Sequence, residues 1–325
     1  MDIPNLTEQL DIFKRYELTP VKLIGVGGTS EVLLVQDETG KLFALKRLLG
    51  QYRNQRAWRD SILLEGVHLT MIQSNRVIHC EKVLTVPIPQ ALIKVSLDSD
   101  PSGQAYSARQ EVALLLEYVE GVHLRALHKR IEQGQAPYSQ DEVASIIWDV
   151  YRGMKALHEA ERGKERPCPI THGDLSPTNI MIKKDGSAIL IDLSSSSSEL
   201  NMPSVIQRPG KAAYLSPGVK AGEDEGIERD YYALGCLWFE LVTGHLKPLK
   251  EGPPAWRDLE AQGWPKRWAK LIVGLLSPLP QVRSQLIENF NRDILWGKDR
   301  KTHSNKRASA RQKLLQRAQE AESAR

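Results

Sequence analysis

Two short stretches near the middle of the chain constrain it more than any other feature. His172-Gly173-Asp174-Leu175-Ser176-Pro177-Thr178-Asn179 sets a carboxylate and a carboxamide on one polar loop, and after a hairpin-like interval the apolar run Ile189-Leu190-Ile191 ends in a second carboxylate, Asp192. An acid at the end of an apolar strand can serve simply to cap a turn. Taken with Asp174 and Asn179, the spacing points to phosphoryl transfer. One Asp can orient an acceptor hydroxyl and take its proton, while the carboxamide and the other Asp offer hard oxygen ligands to magnesium. That chemistry needs a fold that brings several separate turns together.

Upstream, Tyr16 to Leu48 reads as three antiparallel strands, with Asp37 to Gly40 closing a hairpin. The first turn is Gly25-Val26-Gly27-Gly28-Thr29-Ser30-Glu31-Val32, where missing Cβ atoms let backbone amides approach phosphate oxygens, although a plain glycine turn would look the same. Lys46, on the third strand, could reach the α- and β-phosphates, and Glu65 could hold it there from an amphipathic helix predicted over Trp58 to Ile72. Val83 to Val95 and Val112 to Val119 read as two further strands around a polar loop, Asp98 to Gln110. Beyond Gly121 the pattern turns helical, with helices expected over Leu124–Gln133, Asp141–Glu159, Asp230–Thr243, Leu259–Glu260, Lys266–Leu276 and Gln285–Asp293. No internal repeat is visible.

In this order, across Tyr16 to Asn291, the motifs resemble the eukaryotic-type protein kinase superfamily. The resemblance implies an α+β, bilobal protein-kinase-like fold: an N-terminal extension over 1–15, an N-lobe of small antiparallel β-sheet with one helix over 16–119, a mainly helical C-lobe over 120–297, and a basic tail over 298–325. It implies ATP- and Mg2+-dependent transfer to Ser or Thr hydroxyls of protein substrates, with autophosphorylation. By the same resemblance Gly25, Val26, Gly27, Gly28 and Val32 roof the nucleotide, Ala44 and Leu116 border the adenine, and the backbone of Glu117 and Val119 meets it. Lys46 and Glu65 form the activating ion pair, Asp174 is the catalytic aspartate, and Asn179 and Asp192 are metal ligands. Gly210 to Pro217 matches the substrate-docking end of the activation segment, and Asp230 the residue that anchors the catalytic loop.

Several positions depart from the family pattern. Ser30 replaces a third loop glycine. Gly173 stands where an arginine usually answers a phosphorylated activation loop, which implies activity not gated in that way. Ser176 replaces a lysine expected at the transferring phosphate, and HGDLSPTN also resembles the catalytic loops of aminoglycoside phosphotransferases and RIO-type kinases. Leu193 and Ser194 replace the two residues that follow the metal-binding aspartate, and Lys211 stands at a usual threonine. Ser216-Pro217-Gly218 lacks an acidic residue, so Arg283 is expected to be without its partner and the docking region to be looser, around Tyr214. A small-molecule phosphotransferase and a nucleotide-binding pseudokinase scaffold are the rival readings.

Charge is uneven. From Lys298 onward nine Lys or Arg stand against Asp299, Glu320 and Glu322, which leaves the rest of the chain slightly acidic and excludes a basic nucleic-acid-binding body. The tail reads as a frayed basic helix or disordered end, a candidate for contact with an acidic partner. The run Ser194 to Ser198 reads as a solvated loop or an autophosphorylation site. Cys80, Cys168 and Cys236 lack metal or redox spacing, which points to a reducing compartment and inert thiols. The N-terminus does not read as a secretory signal and no apolar run is long enough to span a membrane, so a cytoplasmic location is expected.

Overall fold

The computed structural model describes residues 10–53, 55–87, 110–163, 166–200, 210–244, 255–298 and 300–323. The chain divides into two compact units. The first takes in the chain up to Ile72 and Ile78–Val119, and the second Gln73–Val77, Glu120–Glu199 and the chain from Arg208 onward.

The first unit is a five-stranded sheet. After helix α1 (Leu10–Arg15) come β1 (Thr19–Val26), β2 (Ser30–Gln36), β3 (Leu42–Leu48), the short α2 (Gly50–Arg53), α3 (Arg56–Thr70), β4 (Cys80–Pro87) and β5 (Gln110–Glu117). The sheet order is β1-β2-β3-β5-β4, and every pairing is antiparallel. The β2–β3 turn closes where Asp37 Oδ1 accepts from the N–H of Thr39 and of Lys41. Alternation splits β3 between the two faces. Phe43 and Leu45 join Leu33, Val35, Ala113 and Leu115 in a core that also receives Ile12 and Phe13 from α1, while Ala44 and Lys46 take the other face. The fourth expected strand is described only as far as Pro87. Positions 88–95 of that strand, and 98–109 of the expected loop, lie outside the described residues.

His68, fully buried on α3, has its imidazole pushed by burial down to about 4 from the ordinary 6.5. With the folded value below the unfolded one, neutral His68 contributes stability that is present above about pH 6.5 and is lost as the pH falls through about 4, up to about 3 kcal/mol at the acid end. His68→Leu is therefore expected to narrow the gap between urea midpoints measured at about pH 7 and about pH 4.5. An unchanged gap would place the acid sensitivity elsewhere.

The second unit is mainly helical. β6 (Gly121–His123) leads into α4 (Leu124–Glu132), α5 (Gln140–His158), a two-stranded ribbon of β7 (Glu161–Arg162) and β8 (Arg166–Pro167), and the hairpin of β9 (Ile180–Lys183) and β10 (Ala188–Leu190). The small sheet runs β10-β9-β6. Then follow α6 (Pro217–Lys220), α7 (Glu228–Thr243), α8 (Trp256–Ala261), α9 (Lys266–Leu275), α10 (Pro280–Glu288), α11 (Arg292–Trp296) and α12 (Arg300–Ser323). A capping box starts α5: Ser139 accepts from the N–H of Glu142, whose carboxylate accepts from the N–H of Ser139. Val143, Ile146, Ile147, Val150, Met154 and Leu157 then follow at helical spacing and are all buried. The helix expected over Gln285–Asp293 proves to be two. α10 ends at Glu288, and Asn291 starts α11 by accepting from the N–H of Asp293 through its side chain.

The tail differs most from expectation. Of the two expectations, a frayed basic helix or a disordered end, the helix holds but is packed rather than frayed: the 24-residue α12 has Ala310, Leu314, Ala318 and Ala321 buried along one stripe. Three of its arginines find their acids within the same unit. Arg307 and Arg311 donate to the fully buried Asp149 at 2.6 and 3.2 Å, where Arg76 also pairs, and Arg317 donates to Glu142 at 2.7 Å. No helix among the described residues is long and apolar enough to cross a membrane.

Candidate active site

The candidate residues fall into two groups, one in each unit. In the first unit, strand register does the positioning. Val32 lies opposite Lys46 and Leu34 opposite Ala44 across β2–β3, while Lys46 lies opposite Leu114 and Ala44 opposite Leu116 across β3–β5. Val32, Ala44, Lys46 and Leu116 therefore share one face. Gly25, paired with Val32 across β1–β2, borders it. Gly25, Gly27 and Gly28 all avoid positive φ, and a Cβ at Gly28 would meet open space. The turn thus has no need of positive φ at these glycines, and their backbone is left bare of side chains. Val26, 64% exposed, lies at the end of β1 beside this turn.

From α3, Glu65 meets Lys46 on that face. Lys46 Nζ donates to both carboxylate oxygens at 2.6 and 2.8 Å, with both side chains buried. A buried ion pair is weak as a source of stability, because desolvation offsets most of the attraction. Along β5, the N–H of Glu117 donates to the carbonyl of His79 and the Glu117 side chain accepts from the N–H of His79, so a nucleotide contact there falls to the Glu117 carbonyl. Val119 is buried two residues on. Burial pushes the Cys80 thiol up to about 11 and Cys236 up to about 12, which leaves neither a nucleophile near neutral pH.

In the second unit the 172–179 loop is fixed from beneath by Asp230 at the start of α7. Its carboxylate, 1% exposed, accepts from the N–H of His172 at 2.7 Å and of Gly173 at 3.0 Å and lies 3.0 Å from His158 Nε2. Burial alone would raise the Asp230 carboxyl. The hydrogen bond and charge of His158, together with the loop amides, outweigh it and hold the carboxyl below the usual range. His172 is fully buried and pushed down by desolvation, hence neutral. Gly173 has φ +77, and a Cβ there would lie 2.1 Å from the carbonyl oxygen of Ser195. Only glycine fits, which is why an arginine is absent.

Asp174 is half-buried on this loop. Asn179, on a single 3-10 turn that starts at Pro177, donates from Nδ2 to both the carbonyl and the Oδ2 of Asp174 at 2.8 Å. The carbonyl of Asn179 in turn accepts from the N–H of Ile191, tying the loop to the segment that carries Asp192. Asp192 has φ +63, a left-handed conformation that aspartate tolerates better than most residues and that collects at functional sites. Its Oδ1 accepts from the N–H of Ser194. The amide oxygen of Asn179 and the carboxylate of Asp192 are hard donors of the kind a divalent cation takes. The described residues hold no cluster of three or more His, Cys, Asp or Glu able to bind a metal by itself. Such a set of two donors leaves the rest of a divalent cation's coordination to other oxygen ligands.

Three expectations are corrected here. Arg283 does have a partner: it donates to Glu225, which also accepts from Ser216 Oγ at 2.5 Å, and all three side chains are buried. The acid comes from the loop before α7 rather than from the 216–218 segment. The docking region is accordingly held, not loose, with buried Tyr214 donating to Glu240. The serine run is no solvated loop either. Ser195 and Ser196 are buried, Ser196 Oγ donates to the carbonyl of Leu193, and Ser197 bridges to Thr171 through backbone and hydroxyl. One contact was not foreseen at all. Lys211, noted in the sequence only as a departure, donates from its N–H to Asp174 Oδ1 and from Nζ to Asp174 Oδ2, both at 2.8 Å.

The family model for the protein kinase domain matches residues 18–314. Among curated proteins, the chain is 29% identical over 248 residues to a probable serine/threonine-protein kinase PknB of Corynebacterium glutamicum, covering 74% of this chain and 33% of that protein. It is also 24% identical over 255 residues to rhodopsin kinase grk7a of Danio rerio (76% and 40% covered), and 27% identical over 230 residues to mitogen-activated protein kinase kinase 2 of Arabidopsis thaliana (70% and 54%). The chain spans about a third of the length of the bacterial relative.

Proposed function

The chain belongs to the protein kinase domain family, and from that premise we propose that it transfers the γ-phosphoryl group of ATP to serine or threonine hydroxyls of proteins, with magnesium as the divalent metal the family implies. The observation that carries the reading is the Asn179 carboxamide bound to both the carbonyl and the carboxylate of Asp174, which puts a base and a metal ligand on one rigid turn.

In this mechanism the glycine turn and Lys46 bind the nucleotide phosphates, and Glu65 keeps the ammonium in position. Asn179 and Asp192 hold the metal, which when bound neutralises phosphate charge. Asp174 orients the acceptor hydroxyl and accepts its proton as the oxygen attacks phosphorus. Asp230 keeps the loop rigid through the backbone of His172 and Gly173. The buried thiols favour a reducing compartment, and we place the enzyme in the cytoplasm.

Relatives named as serine/threonine-protein kinases favour a protein acceptor over the small molecule that the HGDLSPTN loop also suits. Incubation with magnesium ATP, a protein acceptor mixture and a panel of small alcohols, followed by mass spectrometry, is expected to show phosphoryl groups gained by proteins, this chain included. Phosphorylated small molecules alone, or nucleotide binding without ADP release, would overturn the reading in favour of a small-molecule enzyme or a scaffold.

A further inference from the structure

Phosphoryl transfer moves negative charge onto the bridging oxygen of the leaving group, and a cation placed where that charge develops accelerates it. The 172–179 loop, which carries the base, contains neither Lys nor Arg. A cation is nevertheless present. Gly210 lies so close to the loop that a Cβ on it would fall 2.3 Å from the carbonyl oxygen of Gly173, and this approach delivers the next residue, Lys211, onto Asp174. Its N–H and Nζ grip both carboxylate oxygens, and Nζ also donates to Ser176 Oγ at 3.0 Å. Ser176 is fully buried, two residues past the base, and its short side chain leaves room for an ammonium that reaches in from the neighbouring segment.

We propose that Lys211 is a catalytic residue of the transfer reaction: the activation segment supplies, from outside the catalytic loop, the ammonium that stabilises the transferring phosphoryl group. The inference rests on the kinase reading and deepens it. Without nucleotide, Nζ neutralises Asp174. With ATP and acceptor bound, the half-exposed, flexible side chain turns from Asp174 Oδ2 to the γ-phosphoryl oxygens and keeps Ser176 Oγ as its pivot. The acceptor oxygen then bonds to the γ-phosphorus, the bond from that phosphorus to the β–γ bridging oxygen breaks, and the electron pair leaves with ADP. The hydroxyl proton passes to the carboxylate that Lys211 has vacated. A lysine thus both guards the base and steadies the transferring phosphoryl group, in sequence.

The test compares the parent, Lys211→Ala, and the double exchange Ser176→Lys with Lys211→Thr, which returns the ammonium to the loop. Lys211→Ala is expected to lower kcat about 10²-fold with KM for ATP changed little, as for loss of one transition-state donor. The double exchange is expected to regain most of that loss. As a readout independent of turnover, affinity for magnesium ADP with aluminium fluoride, a mimic of the transferring group, is expected to fall in Lys211→Ala while affinity for a non-hydrolysable ATP analogue holds. Unchanged kcat and mimic affinity in Lys211→Ala would overturn the proposal. So would a double exchange no better than the single variant, which would mark Lys211 as a positioning residue for Asp174. An inactive parent would instead sink the kinase reading itself, a result distinct from either.

Discussion

Asp174→Asn is expected to lower turnover by about 10³-fold while ATP affinity stays within a few-fold, because proton acceptance acts only as the transition state forms. The geometry favours a clean experiment. The Asp174 side chain is held by three donors, Asn179 Nδ2, the N–H of Lys211 and Lys211 Nζ, and an asparagine of the same shape keeps an oxygen for part of that set. The replacement removes the proposed proton acceptor without emptying the position. Steady-state kinetics of ADP release, with nucleotide affinity measured separately, gives both quantities. Turnover equal to that of the parent would remove Asp174 from the chemistry, and a parallel collapse of ATP binding would show that it serves nucleotide geometry rather than the acceptor.

Glu225→Ala is expected to destabilise the protein by about 3–5 kcal/mol, the usual cost of stripping one partner from a buried ion pair. Arg283 is fully buried, and besides Glu225 it donates only to neutral carbonyls, those of Glu228 and Ser277. Without Glu225 a guanidinium remains uncompensated in the interior and Ser216 loses its acceptor. Replacing the pair together, Glu225→Ala with Arg283→Met, should recover much of the loss, since the penalty belongs to the unpaired charge rather than to the absent bond. Denaturant unfolding of the single and double variants decides it. A single variant within about 0.5 kcal/mol of the parent would mean that solvent reaches the pair.

The alternating and helical periodicities were legible in sequence because each reports one buried face. The strands of the first unit, the helix bearing Glu65 and the long capped α5 all follow from local pattern. What escaped was non-local or made of small residues. α12 buries a stripe of three alanines and one leucine and is held further by arginines that meet Asp149 and Glu142, so to a hydropathy scan it reads as a solvated tail. Its 310, 314, 318, 321 spacing was the available signal. Arg283 and Glu225 are 58 residues apart, and no periodicity links them. Lys211 meets Ser176 across 35 residues, so two substitutions that looked like separate losses in sequence are in space one arrangement. The serines of 194–198 resemble a flexible loop by composition, yet hydroxyls that bond to nearby backbone can be buried at little cost.

The contact between Gly173 and the Ser195 carbonyl also bears on what this lineage can become. An arginine at 173 would require main chain to shift, since even a methyl group would overlap the Ser195 carbonyl in a segment that is pinned to Thr171 through Ser197. For position 173 to present an arginine to a phosphate, that main chain would have to be re-routed together with the change of side chain.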